Sequence, residues 1–143
     1  MTKKLLTRRQ RGFTLIELLV VLAIIGLLAG VVGPRVMKYL GESKTKTARL
    51  QIENLSGTLD MYRLDVGRYP SSDEGLIALL EQPPNVNSWN GPYLRKNKVP
   101  LDPWQNEYHY QSPGEHGGFD LFSLGADNRE GGDGENQDIN NWE

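Results

Sequence analysis

The sequence predicts an α+β protein in which one long N-terminal helix packs on a small antiparallel sheet. Three observations predict this fold. An uncharged apolar stretch covers residues 18–32, and a stripe of apolar residues with helical spacing follows it. Short alternating segments, separated by Gly and Pro, fill the C-terminal half. One long helical pattern followed by a group of short strands is typical of the α+β class.

The composition excludes some classes of protein before any element is placed. Residues 1–12 hold five of the 16 Lys and Arg and no acid, so their removal changes the formal charge from −2 to −7. So acidic a chain excludes a nucleic-acid interface, which needs a basic stripe. Cysteine is absent. A domain this small without disulfides suggests a structural metal or oligomerisation as its stabilising device.

Residues 13–34 predict a transmembrane helix. At 1.5 Å per residue they are long enough to cross the roughly 30 Å hydrocarbon core of a bilayer, and Glu17 is their only charge. The basic residues of the preceding segment are typical of a leader held at the cytoplasmic face, which places the C-terminal part in the periplasm. No small-residue cleavage site follows the apolar core, so Gly12 is the better cleavage point.

The run Gly12-Phe13-Thr14-Leu15-Ile16-Glu17 resembles the processing motif of type IV pilins and their relatives. The resemblance implies that a prepilin peptidase cuts between Gly12 and Phe13, that the new Phe13 amine is methylated, and that Glu17 helps subunits to register. The physical chemistry agrees, because the Phe13 ammonium and the Glu17 carboxylate, from one chain or from two, would compensate each other in the membrane. A plain single-pass anchor is the alternative.

The helix is expected to continue over residues 35–66. Pro34 removes a backbone donor and crowds the preceding turn, which predicts a kink or local melting; the pilin resemblance gives it a role in assembly. Weak helix formers in residues 41–47 predict flexure. Beyond them, apolar residues recur at spacings of four and three, at Ala48, Ile52, Leu55, Leu59, Tyr62 and Val66. This stripe predicts a core face that docks on the sheet, while Gly67 and Pro70 end the helix.

Residues 67–143 are expected to form the globular part. Ser71 and Glu74 match a capping box that opens a short helix through Leu80. Residues 85–98 predict a loop. Two strands, residues 107–111 and 119–123, predict a hairpin around the turn 112–118. Asp102 is interpreted as a turn residue, and His109 and His116 as surface or sheet residues, so no catalytic constellation emerges and the chain is not expected to be an enzyme.

The acidic tail is open to two interpretations. From Asp120 onwards there are seven acids and one base, and this composition alone is typical of disorder. Ile139 and Trp142, however, can anchor the far end of a Gly-rich bow. A pinned loop crowded with oxygen ligands predicts a calcium site, since calcium accepts six to eight carboxylate and carbonyl oxygens. Calcium would also replace the absent disulfides.

Four segments of the C-terminal half together resemble the major pseudopilin family of the type II secretion system: residues 102–104, 112–114, 123–127 and 138–142. The resemblance implies a Ca²⁺ ion held by the Leu124 carbonyl and the Asp127 and Asp138 side chains. Some relatives have an acid where this chain has Gln137, so the outer ligands stay open. Candidates for them are Arg129 through its carbonyl, Asp133, Glu135, Asn136 and Gln137.

The resemblance implies a non-enzymatic subunit of a periplasmic filament that helps to export folded proteins across the outer membrane. Its expected partners are further copies of itself, the prepilin peptidase, minor pseudopilins and the inner-membrane assembly platform. Two alternatives remain. One is a type IV pilus subunit for adhesion or motility, and the other is an anchored calcium-binding module that does not polymerise.

Overall fold

The computed structural model describes residues 12–143, so the predicted leader lies outside the described residues except for Gly12. The chain divides into two compact units, Met1–Lys38 and Tyr39–Glu143. One α-helix, α1, runs from Leu15 to Val66 and therefore contributes to both units.

Helix α1 is continuous where the sequence predicts interruptions. It is α-helical at Pro34, so the local melting expected there is not found. A proline removes one backbone hydrogen bond, and a helix of 52 residues propagates through that loss. Residues 41–47, where weak helix formers predict flexure, are α-helical as well. Two threonines in that stretch bond back to the preceding turn: Thr45 Oγ1 donates to the Gly41 carbonyl at 3.2 Å, and Thr47 Oγ1 donates to the Ser43 carbonyl at 2.9 Å.

The predicted apolar stripe of α1 is confirmed as the core face. Its members Ala48, Ile52, Leu55, Leu59 and Tyr62 are each at most 2 % exposed. Val66 is partly buried against the same core. The spacing of four and three keeps these side chains on one side of the helix, where they meet the rest of the domain.

The segment after α1 forms the predicted capping box but not the predicted α-helix. Glu74 N donates to Ser71 Oγ at 3.2 Å, and Ser71 N donates to Glu74 Oε2 at 2.8 Å. A 3₁₀-helix, Leu76–Leu79, follows in place of the α-helix expected from Ser71 to Leu80. The reason is Gly75, whose φ of 59° and ψ of −170° leave helical space and restart the chain in a tighter turn.

The sheet has three antiparallel strands in the order β1-β2-β3. They are β1 His109–Gln111, β2 Asp120–Ser123 and β3 Ile139–Asn140. The predicted hairpin of β1 and β2 is confirmed, with Tyr110 opposite Leu121. In the second pairing Ser123 lies opposite Ile139, so the chain's last segment closes the sheet.

The core lies between α1 and the sheet. Leu121 and Ile139 from the strands and Leu79 from the 3₁₀-helix are at most 2 % exposed and belong to the same cluster as the α1 stripe. The 85–98 loop is tied to this core by Trp89, whose Nε1 donates to the Ala78 carbonyl at 2.8 Å. Tyr93 of the same loop donates its hydroxyl to Asp65 Oδ2 of α1 at 2.9 Å.

Glu74 gives the domain a pH dependence that can be measured. The hydrogen bonds from Arg68 are the main cause that lowers the pKa of Glu74 to about 2. They are bidentate, at 2.6 and 2.7 Å. Because the folded-state pKa is depressed, the stabilisation is present above the unfolded pKa of about 4.3 and is lost as pH falls towards 2.

We therefore expect Glu74→Gln to destabilise residues 39–143 by about 1–2 kcal/mol at pH 7, since half of the Arg68 side chain is exposed. Urea unfolding between pH 7 and pH 2.5 measures this. The gap between wild type and variant should narrow as the pH falls from 7 to 2.5, since the Glu74 carboxylate is protonated in the folded state only towards pH 2. A gap that stays constant with pH would contradict the assigned role of this carboxylate.

Candidate functional site

The N-terminal processing motif lies in exposed, non-helical chain. Residues 12–14 precede the start of α1 at Leu15, and the Phe13 side chain is 83 % exposed. The backbone N–H and the hydroxyl of Thr14 both donate to Glu17 Oε2, at 2.8 and 2.9 Å. Glu17 N donates back to Thr14 Oγ1 at 3.3 Å. This reciprocal capping box fixes the N-terminus of the helix at Leu15. The peptide bond between Gly12 and Phe13 therefore lies just before the helix, in exposed chain.

Thr14 is a residue that the sequence reasoning missed. Its spacing to Glu17 is the same Thr-x-x-Glu pattern that was recognised at Ser71 and Glu74. The sequence predicts for Glu17 a role in subunit register and in pairing with the Phe13 ammonium, but not this cap. The structure gives this carboxylate a local partner in the single subunit.

The apolar half of α1 has no cover within the described residues. None of its candidate membrane-spanning window is buried. Large hydrophobic side chains such as Leu15, Leu22 and Leu27 are 63–85 % exposed. An apolar surface of this size is not stable in water, so lipid or other apolar helices must cover it.

The C-terminal loop, which we define as residues 124–138, is folded rather than disordered. Ala126 N donates to the Glu135 carbonyl at 2.8 Å and brings the two arms of the loop together. Gly131 N donates to Asp138 Oδ2 at 2.9 Å. The disorder that composition alone suggested is therefore wrong.

Glycine makes the close approach of the two arms possible. Gly125 has a φ of +67°, and a Cβ there would lie 2.7 Å from the Glu135 carbonyl oxygen and 2.9 Å from that of Gln137. Gly132 has a φ of +95°, and its Cβ would lie 2.6 Å from the Asn136 carbonyl oxygen. No side chain fits at either position, so the loop is closed by contacts between backbones.

The predicted metal ligands lie on this loop, with different surroundings. Leu124 directly follows β2, and Asp127 Oδ1 accepts a hydrogen bond from Arg129 N at 3.2 Å. Asp138 Oδ2 accepts a hydrogen bond from Gly131 N, whereas Asp138 Oδ1 is buried and has no hydrogen-bond partner among residues 12–143. An unpartnered buried carboxylate oxygen is costly in free energy, and a cation would satisfy it.

Among the candidate outer ligands, backbone carbonyls lie within the loop, whereas the Glu135 side chain leaves it. The carbonyls of Asn136 and Gln137 face the glycines of the loop, and the Asp133 carbonyl accepts a hydrogen bond from Asn136 N at 3.1 Å. The Glu135 side chain points elsewhere, since its Oε2 accepts a hydrogen bond from Trp104 Nε1 at 3.3 Å.

Within residues 12–143, no three His, Cys, Asp or Glu side chains are gathered closely enough to hold a metal ion. The loop nevertheless fits calcium in one respect, which is the free Asp138 oxygen. A calcium ion there would need backbone carbonyls in addition to Asp127 and Asp138, and calcium sites commonly contain them.

A buried network around Asp102 holds the start of the C-terminal loop. Asp102 is 1 % exposed, and its Oδ1 accepts from Trp104 N and Asn106 N at 2.9 and 2.8 Å, so its interpretation as a turn residue is confirmed. Its Oδ2 accepts from Ser123 Oγ at 2.6 Å. Asn106 Nδ2 in turn donates to the Gly125 carbonyl at 3.2 Å. The link from this turn to the loop was not predicted.

The far end of the loop is pinned by an aromatic contact. The rings of His116 and Trp142 stack with centroids 4.1 Å apart, and His116 Nδ1 lies 3.0 Å from Asp120 Oδ2. Burial opposes ionisation of Asp120, but hydrogen bonds from the His116 ring and from the Glu115 and His116 backbones outweigh it and lower the pKa of Asp120. Ile139 is 2 % exposed, so its predicted anchoring role is confirmed, whereas Trp142 stays 37 % exposed and is held by the stacking on His116.

This arrangement defines a class of protein: a type IV pilin-like subunit, with an N-terminal methylation motif on an apolar helix and a small sheet packed on the same helix. The family model described as "Prokaryotic N-terminal methylation motif" matches residues 7–33. The model described as "Type II secretion system (T2SS), protein G" matches residues 35–142. The chain belongs to the type II secretion system protein G family, as the resemblance implied.

Curated relatives and a solved structure agree with this family. The chain is 47 % identical to the type II secretion system core protein G of Pseudomonas aeruginosa, over 95 % of this chain and 97 % of that protein. It is 44 % identical to the core protein G of Vibrio cholerae, over 94 % and 93 %. It also resembles the crystal structure of the major pseudopilin from the type 2 secretion system of enterohaemorrhagic Escherichia coli. That likeness has a TM-score of 0.63 and 34 % identity, and covers 74 % of this chain and 92 % of the other.

We expect Asp102→Asn to destabilise residues 39–143 by about 1–3 kcal/mol, because the acceptor Oδ2 becomes an amide donor and the buried Ser123 hydroxyl proton loses its carboxylate acceptor. Urea unfolding at pH 7 measures the effect. Asp73→Asn is the matched control. Because Asp73 is exposed, this substitution should change the free energy of unfolding by less than about 0.5 kcal/mol. Equal values for the two variants would contradict the network.

Proposed function

We propose that this chain is the major structural subunit of the periplasmic filament of a type II secretion system and helps to export folded proteins across the outer membrane. The observation that carries the proposal is the uncovered apolar half of α1, which needs lipid before assembly and other helices after it. A filament built from these helices supplies that cover. The protein's work is then mechanical, since each added subunit lengthens the filament.

The proposed maturation uses the exposed N-terminal motif. A prepilin peptidase cuts between Gly12 and Phe13, and the new Phe13 amine is methylated. Support comes from the position of this bond outside α1 and from the exposure of Phe13. The basic leader stays in the cytoplasm, and residues 39–143 face the periplasm from a single-pass helix in the inner membrane.

Assembly is proposed to depend on Glu17 and Pro34. Both bonds from Thr14 fall on Glu17 Oε2, so Oε1 is available to the Phe13 ammonium of its own or a neighbouring subunit. Pro34 lacks one backbone hydrogen bond and is the place where α1 would unwind most easily in the packed filament. The other proposed partners are minor pseudopilins and the inner-membrane assembly platform.

We expect Glu17→Ala to be cleaved like the wild type and to assemble poorly. Cleavage needs the bond after Gly12, whereas assembly needs a carboxylate to compensate the Phe13 ammonium. Immunoblotting measures the shortened chain, and sheared filament fractions measure assembly. A normal filament yield from this variant would remove Glu17 from the mechanism.

We propose that the C-terminal loop binds Ca²⁺. Asp127 and Asp138 supply carboxylate oxygens and Leu124 a carbonyl, with the Asp133, Asn136, Gln137 or Arg129 positions completing the shell. Support comes from the buried Asp138 Oδ1, which has no partner among the described residues, and from the glycines that let carbonyl oxygens of one arm approach the other arm closely. The ion would stabilise the loop of a domain that has no cysteine.

A melting curve of residues 39–143 with calcium and with a chelator tests this proposal. Ligand at a hundred times its dissociation constant adds about 2.7 kcal/mol, and each kcal/mol shifts the midpoint of such a domain by about 4–8 °C. We expect a rise above about ten degrees, abolished in Asp127→Ala and in Asp138→Asn. Glu130→Gln, an acid of the same loop outside the proposed shell, should keep the rise. An unchanged melting temperature of the wild type with calcium would contradict calcium binding by this loop.

A further inference from the structure

Glu135 is the residue of the C-terminal loop that faces both the loop and helix α1. Its backbone carbonyl accepts a hydrogen bond from Ala126 N at 2.8 Å and so closes the loop. Its side chain leaves the loop, with Oε2 accepting from Trp104 Nε1 at 3.3 Å. The remaining atoms of the side chain lie over Gly41 of α1.

The contact with Gly41 is close. The three heavy atoms nearest to the position of a Cβ at Gly41 are Cγ, Cδ and Oε1 of Glu135. Gly41 is buried although its neighbours Glu42 and Ser43 are exposed. A hydrogen in place of a side chain at position 41 is therefore what allows the Glu135 chain to lie against the helix.

The stretch of α1 that begins at Gly41 is a weak helix by its own sequence. Residues 41–47 contain glycine, serine and two threonines, which have low helix propensity, and both threonine hydroxyls bond to carbonyls of the preceding turn. The first apolar core residue of the stripe, Ala48, comes two turns after Gly41. Contacts from outside the helix therefore add to the helicity of residues 41–47 beyond what propagation from the flanking turns supplies.

We propose that Glu135 couples the C-terminal loop to helix α1 at Gly41, so that the calcium-bound loop holds residues 41–47 helical. This inference rests on the calcium of the proposed function. When the ion leaves, the arms that carry Ala126 and Glu135 separate, the Glu135 side chain leaves Gly41, and the weak stretch frays. Glu135 is thus a positioning residue between loop and helix, and not a ligand of the ion.

Hydrogen exchange read by mass spectrometry tests the coupling on the mature full chain in detergent, with calcium and with a chelator. In the wild type we expect chelation to speed exchange in residues 41–47 by about tenfold, with little change in residues 52–62. In Glu135→Ala, exchange in residues 41–47 should be fast even with calcium. Glu135→Gln keeps the packing and the acceptor for Trp104, and should behave like the wild type.

Calcium affinity, measured by titration calorimetry on the same samples, separates the outcomes. Glu135→Ala and Glu135→Gln should bind calcium within about threefold of the wild type. A larger loss in both would make Glu135 a ligand and overturn the inference. So would slow exchange in residues 41–47 of Glu135→Ala, or a rise in 41–47 and 52–62 together on chelation. No binding by the wild type would remove the calcium, and the inference with it.

Discussion

The apolar stripe of helix α1 is the surface on which the rest of the domain is built. Ala48, Leu59 and Tyr62 are fully buried, and they form one cluster with Leu79 of the 3₁₀-helix and Leu121 and Ile139 of the sheet. A small domain without disulfides depends on such a continuous face, because its burial is the main favourable term in folding. Hydrogen bonds between the domain and polar residues of α1 supplement this apolar packing.

Those polar contacts reach α1 through tyrosine hydroxyls. Tyr69 donates to Asp60 at 2.8 Å, and Tyr108 donates to Gln51 at 2.5 Å. Burial raises the pKa of Tyr108, so the hydroxyl keeps its proton and remains a donor at any physiological pH. The N-terminal half of the same helix has the opposite requirement, because its apolar side chains are exposed and need lipid or neighbouring helices. One helix therefore serves both a globular domain and an apolar segment whose side chains lie exposed.

The parts of the site that depend on short sequence patterns could be predicted, whereas contacts between residues distant in the chain could not. The processing motif, the hairpin and the closed, Gly-rich loop all arise from patterns a few residues long. The bond from Ser123 to Asp102 joins residues 21 apart, and the contact of Glu135 with Gly41 joins two ends of the domain. No periodicity or motif encodes such pairs, since they depend on how the elements pack. Thr14 was within reach, because its spacing to Glu17 is a capping box.

The sequence by itself determined the apolar helix, the core stripe, the turn chemistry and the family motifs, because each depends on the spacing of residues along one element. Only the tertiary structure decided that α1 continues through Pro34, that Gly75 restarts the chain as a 3₁₀-helix, and that Ile139 and Asn140 form a third strand. It also turned Glu135 away from the other loop acids and left Asp138 with a free buried oxygen. The third strand and the surroundings of these two carboxylates are set by long-range packing and by which polar atoms it leaves to be satisfied. The course of α1 at Pro34 follows instead from propagation of a long helix, and the 3₁₀-helix follows from the backbone conformation of Gly75.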